Sequence, residues 1–159
     1  MSEHVENVTI LFLRKDDQIL LAMKKRGFGD GLWNGVGGKQ KNSETIEDTA
    51  IRECQEEIGV KPLDLEQVAK LNFYFAENKT GSRLIHYAAV YVCSRWEGDP
   101  IETEEMRPKW FNIKDVPYNK MWPDDTIWLP KIINNQKIEA DFYFDDNNSI
   151  LKHQIRTLQ

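Results

Sequence analysis

Cysteine is scarce in this chain of 159 residues: there are two, Cys54 and Cys93, and their spacing matches no metal site. Two isolated thiols exclude a disulfide framework and fit a reducing compartment, so the expected location is cytoplasmic. Positive charge is also in deficit, with 21 Lys and Arg against 26 Asp and Glu and a formal net charge of −5. A nucleic-acid polymer is therefore not an expected partner, because a phosphate backbone calls for a basic surface. A single nucleotide is not excluded, since a metal ion can neutralise its charge. No apolar run approaches the roughly 20 residues that span a bilayer, so no membrane partner is expected. The opening MSEHVENVTI lacks the basic flank and apolar stretch of a signal peptide. What remains, at 40% hydrophobic and 30% charged residues, predicts one soluble, monomeric domain over residues 1–159.

Glycine is rare outside one place. Six of the nine fall in RGFGDGLWNGVGGK, residues 26–39, which must form an irregular loop because such density weakens helices and strands alike. Before it, VTILFL (8–13) and QILLAM (18–23) read as strands joined by RKDD. After it, VAKLNFYFA (68–76) and LIHYAAVYVCS (84–94) read as two more strands, with ENKTGSR between them. KWFNI (109–113) and the alternating IEADFYF (138–144) add two further strands. A helix is predicted from Thr45, an N-cap with Asp48 three residues on, to Gly59, which ends it in the left-handed conformation. DDTIWLPKIINNQ (124–136) holds a second helix, which Pro130 should interrupt or bend. Strands outnumber helices, so the predicted class is α/β, a mixed sheet with helices packed on it.

The first helix carries RECQEEIGV (52–60), with three glutamates in five positions. Like charges at helical spacing repel by a few tenths of a kcal/mol per pair. With about 100° per residue, Glu57 lies about 40° and Glu56 about −60° from Glu53, so the three share one arc. Ala50, Cys54, Ile58 and Ile51 occupy the adjoining arc, the apolar face. The acids border the face that meets the sheet, although a solvated charged face is the commoner meaning of such a run. Clustered carboxylates beside a glycine loop suit a hard divalent cation such as Mg²⁺, which removes their repulsion.

GKQKNSETIEDTAIRECQEEIGV, residues 38–60, resembles the complete Nudix box: Gly38, Glu44, Arg52, Glu53, Glu56, Glu57, Gly59 and Val60 all match, with Cys54 a soft match at an aliphatic position. The resemblance implies the Nudix fold, an α/β/α sandwich whose mixed sheet carries a loop–helix–loop, and a hydrolase of nucleoside diphosphate compounds. It implies Mg²⁺, with Mn²⁺ as a substitute, held by Glu53, Glu56, Glu57 and the Gly37 carbonyl. Glu44 and Arg52 would brace the loop against the helix. The implied reaction is attack of water on phosphorus without a covalent nucleophile.

MKKRGFG (23–29), WNGVGGK (33–39), EMRPKWF (105–111) and MWPDD (121–125) resemble the branch of that family that hydrolyses oxidised purine nucleoside triphosphates. That resemblance runs over nearly the whole chain, in register apart from a longer 77–85 loop. It implies that Asn34, Asp124 and Asp125 read the base edge while Trp122 and Phe28 flank it. Thr9 and Lys24 become further pocket positions, Phe73 and Trp128 apolar walls, and Glu105 a distal metal ligand alongside the catalytic Glu53, Glu56 and Glu57. Read without the resemblance, Trp122 and Phe28 suit a core, Asp124 and Asp125 the start of a helix, Thr9 a strand, and Lys24 the solvated surface. The chain departs from the pattern at His86, where the branch has methionine, and at Val36, where it has phenylalanine beside the pocket. The expected product pair is a nucleoside monophosphate and pyrophosphate from 8-oxo-dGTP and 2-hydroxy-dATP. The alternatives are a Nudix hydrolase of a dinucleotide, nucleotide sugar or cap, and a catalytically silent Nudix-fold binding module.

Overall fold

A strand whose apolar residues run without alternation is one buried on both faces, and the first two strands follow that rule. The computed structural model describes residues 2–159, with β1 (Ser2–Lys15) and β2 (Gln18–Lys24) joined by a tight turn in which Asp16 takes a φ of 55°. Successive side chains leave opposite faces. Leu11, Leu13, Leu20 and Ala22 enter one apolar cluster, and Phe12, Ile19 and Leu21 enter another. Helix α1 (Ile46–Ile58) closes the first cluster with Ala50, Cys54 and Ile58. Helix α2 (Asp125–Ile133) closes the second with Trp128, Leu129, Ile132 and Ile133. The result is the expected α/β/α sandwich.

The remaining strands are β3 (Trp33–Asn34), β4 (Lys61–Pro62), β5 (Glu66–Tyr74), β6 (Ser82–Cys93), β7 (Trp96–Glu97), β8 (Met106–Asn112), β9 (Ile138–Phe144) and β10 (Ile150–Thr157). The main sheet runs β10-β9-β5-β6-β1-β2-β3, with β8 also on β2, and β4 pairs β7 apart from it. It is mixed: β1 runs parallel to β6 from Ser2↔Ser82 to Leu13↔Cys93, and β5 runs parallel to β9, while the other pairs are antiparallel. Among the described residues no helix is long and apolar enough to cross a membrane.

The cap signals act as read. Thr45 accepts from the Asp48 N–H, Asp48 answers to the Thr45 N–H, and Gly59 sits at φ 72°. Three expectations change. β1 begins six residues before Val8, because residues 2–7, polar except for the exposed Val5, are held by pairing with β6 rather than by burial. β10 was not read at all. Pro130 does not interrupt α2, which continues to Ile133 with the Asn134 N–H on the Pro130 carbonyl at 3.1 Å. An internal proline costs about 3 kcal/mol, whereas four buried apolar side chains contribute roughly 1.5–3 kcal/mol each, so packing prevails.

The glycine loop is stitched to the sheet. Leu11 and Val36 exchange backbone hydrogen bonds at 2.6 and 3.0 Å, and Thr9 N–H reaches the Gly38 carbonyl at 2.9 Å. A Cβ on Gly37 would lie 1.8 Å from the Thr9 carbonyl oxygen, so no other residue permits this approach. The Val36 side chain turns into the cluster beneath α1 and is not part of the cavity wall described below.

Candidate active site

The acids of α1 are graded from core to solvent. Glu57 is half-buried and accepts the Gly37 N–H at 2.7 Å. Burial pushes its carboxyl up to about 8, with the Gly37 hydrogen bond acting against and the Glu53 charge adding to the rise. Glu53 is also raised by burial, with Arg52 opposing. Glu56 is exposed. Arg52 ties the group together. Its Nε and Nη2 donate to the two Glu44 oxygens at 2.6 and 3.0 Å, Nη2 to the Lys39 carbonyl at 3.0 Å, and Nη1 to Glu53 at 2.8 Å and Glu56 at 3.3 Å. The guanidinium holds Glu44 down at about 2. Glu44 and Arg52 thus join the Lys39 end of the glycine loop to the helix.

Among the described residues, no three Asp, Glu, His or Cys side chains converge as a finished metal cage. The donors nevertheless fit a hard cation: carboxylates, two of them made costly by burial, with a guanidinium already seated between Glu53 and Glu56. Of the expected metal set, Glu53, Glu57 and Gly37 lie together. Glu56 is exposed, but it shares the Arg52 guanidinium with Glu53 and its charge adds to the Glu53 rise. Glu105 pairs with Arg26 at 2.5 Å and does not line the cavity, yet it lies near enough for its charge to add to the rise of the Glu57 carboxyl.

That cavity, of about 360 Å³, opens beside the Glu57 carboxyl. Thr9, Lys24, Phe28, Asn34, Gly37, Phe73, Trp122, Asp124, Asp125 and Trp128, expected from sequence, all line it. The Asn34 amide donates to the Leu32 carbonyl at 3.1 Å, which fixes its orientation. Asp124 accepts the Trp128 indole N–H at 2.8 Å, and Asp125 accepts the Trp122 backbone N–H at 3.0 Å. Both aspartates are buried, at 5% and 6% exposure. Burial raises both carboxyls, and the Asp124 charge drives Asp125 further. Two carboxyls this close and this dry favour sharing a proton over ionising together.

One expected arrangement changes. Trp122 and Phe28 were to flank a base, but their rings pack on one another with centroids 5.2 Å apart at 36°. A base, needing about 7 Å between flanking rings, does not fit between them; they form one wall. Phe73, Phe75, His86, Phe144 and Asn148 form a further stretch of wall, of which only Phe73 was singled out as a pocket residue. Phe75, Phe144 and Asn148 carry no local signal. They reach the cavity because β5, β6 and β9 lie side by side.

A loop–helix–loop of acids on one face of a mixed sheet, opening into a cavity on the other, matches the NUDIX domain, whose profile covers residues 3–132. The chain belongs to the Nudix family and is a Nudix hydrolase, a class that uses divalent metal ions. It is 39% identical over 148 residues to the oxidized purine nucleoside triphosphate hydrolase of Mus musculus, covering 93% of this chain and 92% of that one. The protein of the same name from Danio rerio is 36% identical with the same coverage. A solved MutT protein from Bacillus halodurans superposes with a TM-score of 0.80 at 23% identity, covering 94% of this chain and 97% of that one, a likeness of fold.

Proposed function

We propose that this chain is a single Nudix domain, monomeric and cytoplasmic, that hydrolyses oxidised purine nucleoside triphosphates, 8-oxo-dGTP and 2-hydroxy-dATP among them, to the monophosphate and pyrophosphate. What carries the reading is one cavity lined both by flat and hydrogen-bonding side chains (Trp122, Asn34, Asp124, Asp125) and by the glycine loop with Glu57. The names of the mouse and zebrafish relatives support the same substrate class.

In this reading Glu53, Glu56, Glu57 and the Gly37 carbonyl would hold Mg²⁺, or Mn²⁺ in its place, with Glu105 joining from the 102–105 loop. When bound, the ion neutralises phosphate charge and acidifies a water. Gly37 and Gly38 let the phosphates approach the backbone. Lys24 adds positive charge at the same end. Arg52 and Glu44 keep loop and helix in register, so the carboxylates stay aimed. At the other end Asn34 offers fixed donor and acceptor sites. The aspartates hold one proton between them, so one carboxyl donates while the other accepts. Moving that proton lets the same side chains match two bases with different edges. Thr9, Phe73 and Trp128 shape the walls against which the base rests.

The test is incubation with Mg²⁺ and a panel of nucleotides, with products identified by chromatography. Monophosphate and pyrophosphate from the oxidised purines are expected. Turnover confined to dinucleotides, nucleotide sugars or caps overturns the substrate assignment, and binding without turnover of any of them overturns the enzyme.

A further inference from the structure

His86 sits where the lining of the cavity changes from apolar to polar. Glu6 lies opposite it on β1, and Phe73 opposite it on β5. The imidazole lines the cavity and meets Phe75 edge to face at 5.1 Å. Its Nε2 lies 2.9 Å from Glu6 Oε1. The other Glu6 oxygen takes Lys39 Nζ at 2.9 Å and the exposed His4 ring at 3.4 Å. Burial acts to raise the Glu6 carboxyl, but the hydrogen bonds from Lys39 and His86 outweigh it and hold it below the usual range. An ionised carboxylate only accepts, so the Nε2 position must carry the proton. In the neutral ring Nδ1 is then the acceptor, and the cavity that His86 lines is bounded on these neighbouring strands by Phe73, Phe75 and Phe144.

We propose that His86 is a specificity-determining residue: with Nε2–H held by Glu6, its Nδ1 accepts a hydrogen bond from an N–H or O–H group of the bound purine nucleotide, a contact separate from those of Asp124 and Asp125. Glu6 is the positioning residue, because it selects the tautomer and stops the ring from flipping. The proposal rests on the reading of the cavity as a purine site. A ring held by a partner on one nitrogen presents its other nitrogen in a fixed direction, and it loses little freedom when a ligand arrives.

The test uses binding, without metal, of 8-oxo-dGMP as the probe. In nitrogen-15 NMR of the wild type, His86 is expected as the Nε2–H tautomer, with the Nδ1 resonance moving toward the hydrogen-bonded range as nucleotide is added. His86→Asn keeps an acceptor near the Nδ1 position but cannot reach Glu6. His86→Gln keeps the reach to Glu6 but has no acceptor where Nδ1 was. Loss of one hydrogen bond weakens binding about two- to tenfold. That loss is expected in full for Gln and His86→Met, and in part for Asn. Glu6→Gln is expected to mix the tautomers and fall between them. Wild-type affinity in Gln and Met, or an unmoved Nδ1 resonance in protein that binds the nucleotide, overturns the role of His86 alone. Absence of any purine nucleotide binding by the wild type overturns the purine reading as well.

Discussion

Glu53 and Glu57 on α1 and Asp124 and Asp125 at the head of α2 are both pairs of acids drawn partly out of water, and they differ in what lies within reach. The glutamates have a guanidinium on Glu53, a backbone N–H on Glu57, and a sheltered side facing the glycine loop. The aspartates have an indole N–H and a backbone N–H, and among the described residues no cation pairs with either carboxylate. On the proposed reading the first pair has its charge matched by a positive ion, and the second has its charge removed by a proton. Burial alone does not distinguish a metal site from a hydrogen-bonding site; the charge of the neighbours does.

The comparison breaks most severely at Glu57. Glu57→Gln keeps the acceptor for Gly37 but removes the charge a cation needs, and kcat should fall at least about a hundredfold, on the scale of losing one preorganised electrostatic group. Circular dichroism and a melting curve should show the fold intact. Near-normal kcat at saturating Mg²⁺ would return the acids of α1 to a solvated face.

At the aspartate end, Trp122→Ala removes the ring that packs on Phe28. Base stacking is worth about 1–3 kcal/mol, so KM for every purine nucleotide, oxidised or not, should rise roughly five- to a hundredfold with Tm little changed. A large fall in Tm with unchanged KM would make Trp122 a core residue instead.

A smaller effect sharpens the contrast. Asp124→Asn and Asp125→Asn fix donor and acceptor where the acid pair is adjustable. Each should shift the ratio of kcat/KM for 8-oxo-dGTP over 2-hydroxy-dATP, by about two- to tenfold for a hydrogen bond gained or lost. The same ratio in all three proteins at every pH would show the pair to be helix-terminal charges.

The smallest effect is on stability, and its sign separates an acid raised by burial from one held down by hydrogen bonds. The Asp125 carboxyl is raised in the folded state, so its favourable contribution is complete below the unfolded value near 4 and is lost as pH rises through the higher folded value. Asp125→Asn should therefore raise Tm by a few degrees at pH 8 and by nothing near pH 3. Asp64 runs the other way. Burial acts to raise its carboxyl, but hydrogen bonds from Ser94 and Arg95 outweigh it and hold it at about 2. Its contribution is complete above the unfolded value and fades as pH falls toward 2. Asp64→Asn should therefore lower Tm at neutral pH and converge on the wild type in acid. Parallel Tm shifts for the two variants across pH would refute the assignment.

The α1 region was legible because its signals are local: Thr45 and Asp48 are three residues apart, and Gly59 needs only its own φ. The apolar runs of β1 and β2 were legible for the same reason. The further stretch of cavity wall was not. Phe75, Phe144 and Asn148 come from two hairpins whose adjacency depends on sheet order, and nothing near them in sequence records it. β10 was missed because most of ILKHQIRT is exposed on both faces of an edge strand, so no alternation marks it. Phe28 and Trp122 were read as two sides of a slot because sequence gives residue types and not the space between rings.

The parallel pairing of β1 with β6 also governs when the molecule can assemble. Ser2 must find Ser82, and Ala69 must find Ile138. Closing loops that long forfeits chain entropy before any contact repays it, which places such folds among the slower, millisecond-to-second class. The cavity lining draws on Val8, Phe73, His86 and Phe144. A chain still growing on the ribosome therefore has no such cavity until residue 144 has emerged, and until then the faces of β1 and β5 that will form it are open apolar surface for a chaperone to cover.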